Sequence, residues 1–141
     1  MTGVQTCALP ISTATMGIID TRPTTSATDF YVAATGGNQI IYYSGTTSII
    51  SSAATVPAAN QWSHFAVVRN SGTSTLYING VQSGSTASDT QNYASIGNIV
   101  IGGAVGGTAL FNGYISDLRV TKYARYTGNN TTYLSGPYVA R

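Results

Sequence analysis

The chain has 141 residues, a length typical of one domain with a sizeable hydrophobic core. Only 7% of its residues are charged, and a formal net charge of +2 is too small to imply a polyanionic partner such as nucleic acid. Arg119, Lys122 and Arg125 lie close together and are interpreted as a solvated strand end. All four acidic residues are aspartates, which leaves few groups for acid/base catalysis. No apolar stretch reaches the roughly 18 residues of a membrane-spanning helix. We therefore expect no nucleic-acid partner, no membrane insertion and no enzyme.

The first eleven residues match the translation of a common sequencing adapter, with its GTG codon read as the initiating methionine. A secretory signal peptide is the alternative, but residues 1–11 lack a basic n-region and their apolar run is too short. We interpret the segment as the artefact of a metagenomic fragment and expect natural N-terminal strands to be missing. Its Cys7 is the only cysteine, so the natural part of the chain offers no disulfide or cysteine–metal site.

Short apolar runs alternate with turn residues at fairly regular spacing along the rest of the chain, which predicts an all-β sandwich or barrel. The predicted strands, in chain order, are 16–20, 29–34, 39–43, 47–52, 61–69, 74–78, 81–84, 99–102 and 110–121. The polar residues 85–98 predict a long loop. No internal repeat and no helix longer than one turn is indicated.

The strand 61–69 gives the strongest of these signals. One of its faces is predicted to carry Trp62, His64, Ala66 and Val68. The residues between them form the other face, and apolar side chains on both faces indicate an interior strand. Downstream, Asn79 and Gly80 predict a type I′ hairpin turn, because both residues tolerate positive φ.

Several segments in order carry a resemblance to a known family. They read Gln61-Trp62-Ser63-His64-Phe65-Ala66-Val67-Val68-Arg69, Thr75-Leu76-Tyr77-Ile78-Asn79-Gly80, Ile99-Val100-Ile101-Gly102-Gly103 and Phe111-Asn112-Gly113-Tyr114-Ile115-Ser116-Asp117-Leu118-Arg119-Val120. The series resembles the laminin G-like, concanavalin A-like lectin/glucanase superfamily, in the variety found in phage tail and bacterial surface proteins. The resemblance covers about residues 16–127.

The resemblance implies an antiparallel jelly-roll sandwich of two packed sheets, here truncated at its N-terminus. We expect the adapter artefact at 1–11, the sandwich domain at 12–127, and a C-terminal tail or linker at 128–141. Some relatives with this fold are glycoside hydrolases that carry paired glutamates around an aspartate on one strand. Nothing in this sequence matches that motif, so no catalytic residue is predicted, and Asp117 and Arg119 are expected to pair structurally.

Sugar-binding sites usually combine a tyrosine face with Asn, Asp or Ser side chains on loops. Asp89, Asn92 and Tyr93 are the first candidate ligand-binding residues, and Tyr42 is the second. Trp62 is predicted to be a core residue, with stacking on a sugar as the alternative.

No metal site and no cofactor are predicted. His64 is the only histidine, so a transition metal would lack ligands and a structural role is expected for this residue. The resemblance leaves calcium open, since many laminin G-like domains bind it, and Asp20 and Asp29 are its weak candidate ligands.

The leading hypothesis is a non-catalytic module that recognises a glycan or cell-surface receptor. It would sit within a larger phage tail-fibre or adhesin-like protein, on the virion surface or outside the cell, beside neighbouring domains of the same protein. A purely structural spacer or oligomerisation domain is the alternative, and a degenerate glycoside hydrolase domain is the weaker one.

Overall fold

The computed structural model describes residues 7–8, 14–53, 61–93, 99–125 and 127–129 of the chain. The strands are β1 (Cys7–Ala8), β2 (Met16–Asp20), β3 (Phe30–Ala34), β4 (Ile40–Ser44), β5 (Thr47–Ser51), β6 (Trp62–Ser63), β7 (Phe65–Asn70), β8 (Thr73–Ile78), β9 (Val81–Gln82), β10 (Ala87–Ser88), β11 (Val100–Ile101) and β12 (Tyr114–Ile115). The described residues include no helix with the length and apolar character needed to cross a membrane. The all-β class predicted from the sequence is confirmed.

One layer is a five-stranded antiparallel sheet in the order β11-β2-β3-β4-β5. The predicted strand 16–20 coincides with β2, and the next three predicted strands differ from β3, β4 and β5 by no more than one residue at either end. Between β4 and β5 the chain reverses through Gly45, whose φ of +61° lies in the left-handed region that glycine adopts without steric cost.

The second layer consists of two smaller antiparallel sheets, β10-β8-β7 with β9 attached to β8, and β12-β1-β6. A single residue, His64, separates β6 from β7, so the predicted strand 61–69 runs through both sheets. Asn79 and Gly80 have φ values of +50° and +78° and join β8 to β9, where Ile78 pairs with Val81. The predicted hairpin turn is confirmed.

The hydrophobic core lies between the two layers. The five-stranded sheet contributes Ile18, Val32 and Ile40, and the β7–β8 hairpin contributes Phe65 and Leu76, all at 0% exposure. Each of these strands alternates core-facing side chains with side chains on its other face, as strand geometry requires.

The outer face of the β7–β8 hairpin is also apolar. Ala66 and Val68 alternate with the core residues of β7 and pack with Tyr77 into a second buried cluster. Ala124, near the end of the described chain, lies against this cluster. Most of β7 is buried on both faces, as the sequence predicted, but among the described strands β7 lies at the end of its sheet and pairs only with β8.

β2 contains a bulge, because its register with β3 shifts between Gly17 and Ile19. A Cβ atom at Gly17 would collide with the backbone of Gly103, which crosses directly over it.

We expect Gly17→Ala to lower the free energy of unfolding by about 1–3 kcal/mol, because the overlying loop must move. Urea denaturation measures the change. Gly37→Ala is the control, since a Cβ there meets only a side-chain oxygen at 3.8 Å, and equal stabilities of the two variants would contradict the close approach.

The predicted strand 110–121 is wrong in its extent. The strand described within it is limited to Tyr114–Ile115, and Asp117 has a φ of +53°, in a left-handed region that cannot continue a strand. The predicted loop 85–98 is also wrong in part, because it contains β10, which pairs with β8. In both segments the alternation of side chains does not indicate which backbone N–H and C=O groups pair with another strand.

The segment interpreted as adapter-derived contributes β1, which lies between β6 and β12. Cys7 is in register with Ser63 and Ile115. The origin of this segment, the loss of natural N-terminal strands and the boundary at residue 12 all stay predictions. Of the predicted tail 128–141, only residues 128 and 129 are among those described.

Candidate functional site

A buried carboxylate, that of Asp89, joins the two layers just after β10. Its Oδ2 accepts hydrogen bonds from the hydroxyl of Tyr42 on β4 at 2.9 Å and from the hydroxyl of Ser74 on β8 at 2.8 Å. Its Oδ1 accepts one from the hydroxyl of Tyr93 at 2.9 Å. We call these four residues the Asp89 cluster. Donors from both layers of the sandwich therefore converge on one carboxylate.

Arg69 adds a positive charge to the Asp89 cluster from the end of β7. Its Nη1 lies 3.5 Å from Asp89 Oδ1 and donates to the carbonyl oxygen of Gln91 at 2.6 Å. Its guanidinium lies 5.0 Å from the centre of the Tyr93 ring, within the range of a cation–π contact. Burial raises the pKa of Asp89, but the three hydroxyl donors and the Arg69 charge outweigh it and lower the pKa below its ordinary value.

Three of the four predicted ligand residues thus come together, although Tyr42 and Asp89 are 47 positions apart. The side chains of Tyr42, Asp89 and Tyr93 are buried, and their polar atoms bond to one another, so the cluster holds the two layers together. Asn92 is exposed and is the only one of the four whose side chain a ligand can reach in this structure. Its ligand role stays a prediction.

A second buried ion pair ties the end of β2 to two loops. Asp20 Oδ1 accepts from the backbone N–H and Nε of Arg22 at 3.0 and 2.8 Å. Its Oδ2 accepts from Nη2 of Arg22 and from the backbone N–H of Val105, each at 2.8 Å. Nη1 of Arg22 donates to the carbonyl oxygen of Gly45 at 2.8 Å. Burial raises the pKa of Asp20, but these bonds outweigh it and lower the pKa below its ordinary value.

Asp20, one of the two weak candidate metal ligands, is fully engaged in these hydrogen bonds, and a calcium-binding role for Asp29 stays a prediction. Calcium takes roughly six to eight oxygen ligands. Each oxygen of Asp20 already accepts two hydrogen bonds, which fills its acceptor capacity. Within the described ranges, no group of three or more His, Cys, Asp or Glu side chains could hold a metal ion. A calcium requirement elsewhere in the chain stays open.

Asp29 is 1% exposed, and neither of its carboxyl oxygens has a hydrogen-bond partner among the described residues. Burial raises its pKa above the ordinary value. The pKa of Asp29 is higher in the folded state than in the unfolded state. Below the unfolded pKa the carboxyl is neutral in both states, so its burial costs no free energy for burying a charge. Stability then falls as the pH rises towards the folded pKa.

We expect Asp29→Asn to be more stable than the wild type at about pH 7, by about 1–3 kcal/mol, because the variant never buries a charge there. At about pH 3.5 the advantage should disappear, since the wild-type carboxyl is then largely protonated in both states. Urea denaturation at the two pH values measures this difference. Asp117→Asn, at an exposed position, is the control. An equal gain at both pH values would show that ionisation is not the cause.

Trp62, predicted to be a core residue, is 56% exposed, and this prediction is wrong. The next residue, Ser63, is buried at 1% exposure, so the alternation along β6 turns the indole outwards. His64 is buried, and burial lowers the pKa of its imidazole, which agrees with the structural role expected for it.

A shallow groove of about 290 Å³ lies on the outer face of the β7–β8 hairpin. Its walls are formed by Val68, Asn70, Thr73, Thr75, Tyr77 and Thr127. None of these residues is charged, and most present hydroxyl or amide groups that can both donate and accept hydrogen bonds. The groove can therefore bind an uncharged polar ligand.

Residues 9–127 match the family model described as the concanavalin A-like lectin/glucanases superfamily. A protein from Bacteroides ovatus, provisionally described as carbohydrate-binding, has a similar structure, with a TM-score of 0.71 and 16% identity over 93% of this chain. The chain spans only 39% of that protein. The native heptameric SAP-like pentraxin from Limulus polyphemus is similar at a TM-score of 0.61 and 20% identity, over 95% of this chain and 69% of that one.

No curated protein sequence matches the chain. The identities to the two solved structures are low, so these likenesses establish the fold alone. The family model covers most of the chain, and the two-layered antiparallel sandwich agrees with it. The chain belongs to the concanavalin A-like lectin/glucanases superfamily.

Proposed function

We propose that this chain is a non-catalytic recognition module that binds carbohydrate, free or on a cell-surface receptor. It would act within a larger phage tail-fibre or adhesin-like protein, on a virion or outside the cell. The observation that carries the proposal is the uncharged, hydrogen-bonding groove on the outer face of β7 and β8 in a lectin-type sandwich. The similar Bacteroides ovatus protein, with its provisional carbohydrate-binding description, supports it.

The positions of the four aspartates support a role without catalysis. A glycoside hydrolase needs two carboxyl groups that flank the scissile bond, one protonated and one ionised. Asp20 and Asp89 are buried in internal networks, and the carboxyl of Asp29 is buried without a hydrogen-bond partner in the described part of the chain. Asp117 is exposed, but no second acidic residue of the chain is exposed to work with it.

A glycan array tests the proposal. The full chain, labelled with a fluorophore, is expected to bind one group of related glycans with micromolar to millimolar affinity, since a shallow groove gives few buried contacts. Unrelated glycans on the same array are the control. An array that gives no saturable hit at any protein concentration would contradict carbohydrate recognition.

A structural spacer or oligomerisation domain is the second candidate. One observation favours it: Ile99, Ile101 and Leu110 are each more than half exposed. Exposed apolar side chains of this size often mark protein interfaces. Light scattering that shows a dimer or trimer, together with an array that gives no hit, would favour this candidate over carbohydrate recognition.

A further inference from the structure

Two exposed aromatic side chains lie in one row across the β12-β1-β6 sheet. Trp62 is 56% exposed and Tyr114 is 75% exposed. Both are in register with Ala8 of β1, Trp62 from one side and Tyr114 from the other. Residues paired in this way point to the same face of a sheet.

The neighbouring row shows that this face is the outer one. Ser63 and Ile115 are both in register with Cys7 of β1. Ser63 is buried, and Ile115 packs against the hydrophobic core between the layers. Successive residues of a strand point to opposite faces, so the row that holds Trp62 and Tyr114 faces away from the core.

We propose that Trp62 and Tyr114 form an aromatic platform on which the rings of a neutral oligosaccharide stack. This inference rests on the proposed carbohydrate-binding function and assigns to it a second surface, besides the groove on β7 and β8. The two residues lie two strand spacings apart, about 10 Å, which is wider than one sugar ring. A ligand that contacts both residues must therefore be an oligosaccharide.

The chemistry of the platform favours a neutral sugar over a charged ligand. The C–H faces of sugar rings are apolar and pack well on the faces of Trp and Tyr, whose polar atoms remain free for hydrogen bonds. Gln61 beside Trp62 and Asn112 near Tyr114 are exposed, and their amides can donate to and accept from sugar hydroxyls. None of these four residues is charged.

Trp62 is the only tryptophan in the sequence, so intrinsic tryptophan fluorescence reports on the platform alone. The chain is titrated with neutral hexasaccharides of glucose, xylose, mannose and N-acetylglucosamine, with each monosaccharide as a length control. We expect at least one hexasaccharide to shift the emission to shorter wavelength and to protect Trp62 from acrylamide quenching. The matching monosaccharide should bind much more weakly, since it cannot span both residues.

Variants then test the two residues separately by calorimetry. Trp62→Ala and Tyr114→Ala should each weaken binding of that hexasaccharide by about tenfold or more, as for central aromatic contacts in other interfaces. Trp62→Phe should retain a large part of the affinity. Tyr123→Ala, at an exposed tyrosine outside the row, is the matched control and should bind like the wild type. Melting temperatures confirm that each variant is folded, which is expected because both side chains are exposed.

The outcomes separate the platform from the proposed function. If both alanine variants bind the hexasaccharide with the affinity of the wild type, the platform is overturned. Carbohydrate recognition would then occur at another surface, such as the groove or Asn92. Absence of binding to any hexasaccharide, together with a silent glycan array, would overturn both. Dimerisation that is abolished by Trp62→Ala would also overturn the platform, by assigning this face to a second copy of the chain.

Discussion

Replacing Arg22 with alanine is expected to lower the free energy of unfolding by about 3–5 kcal/mol, because it leaves the buried carboxylate of Asp20 without its counter-charge. Asp20 is 0% exposed, and two of its four hydrogen bonds come from the Arg22 guanidinium that the variant removes, while the bond from the Arg22 backbone N–H remains. The guanidinium also lies 4.3 Å from the centre of the Tyr31 ring, a contact that the variant loses. Urea denaturation at neutral pH measures the change.

Two further variants identify the cause. Arg22→Lys keeps the charge but loses the planar fork that contacts both carboxylate oxygens, so an intermediate loss is expected. Asp20→Leu combined with Arg22→Met removes both charges and should recover much of the stability, because an apolar pair avoids the desolvation penalty. If Arg22→Ala changes the free energy of unfolding by less than about 0.5 kcal/mol, as a substitution at an ordinary surface site does, the structural role of this ion pair is contradicted.

Removal of the Asp89 carboxylate is expected to lower the free energy of unfolding about as much as Arg22→Ala does. Asp89→Ala leaves three hydroxyl groups and the Arg69 charge without their shared acceptor, and we expect a loss of about 3–5 kcal/mol. Because the folded pKa of Asp89 lies below the unfolded one, its contribution is present above the unfolded pKa. It is lost as the pH falls through the folded pKa. Denaturation measured from about pH 7 down to about pH 3 should therefore show an acid loss of stability that is smaller in Asp89→Asn, which keeps the contribution of Asp20 but not that of Asp89.

Asp89→Asn also separates structure from recognition. It preserves the shape of the side chain, so part of the population should remain folded and should bind glycan as the wild type does. A stable, folded Asp89→Asn protein that no longer binds glycan would instead support the ligand role predicted for Asp89 from the sequence.

Local patterns in the sequence were sufficient for much of the fold. Hydrophobic runs bounded by turn residues located β2 to β5, and the Asn79-Gly80 pair located the turn between β8 and β9. These features depend on neighbouring residues, whose periodicity and backbone preferences can be read directly. The predicted strand 110–121 is longer than β12, because the alternation of side chains does not indicate the positive φ of Asp117.

The candidate site was only partly predictable. The sequence predicts Asp89 and Tyr93 as loop residues of a ligand site. Their burial depends on Ser74 of β8 and on Tyr42 of the five-stranded sheet. The exposure of Trp62 depends on whether anything covers its side of the sheet, which a single strand does not reveal. Its register with Tyr114 through β1 could not be read from residues so far apart in the chain.

Calorimetric titration of the full chain with the best oligosaccharide from the glycan array, followed by chromatography of the recovered ligand, tests the central claim most directly. A non-catalytic recognition module gives a saturable isotherm, and the oligosaccharide is recovered at its original length after prolonged incubation. Shorter products that accumulate with time would show an enzyme, and the absence of saturable heat for every glycan tested would show that carbohydrate is not the ligand.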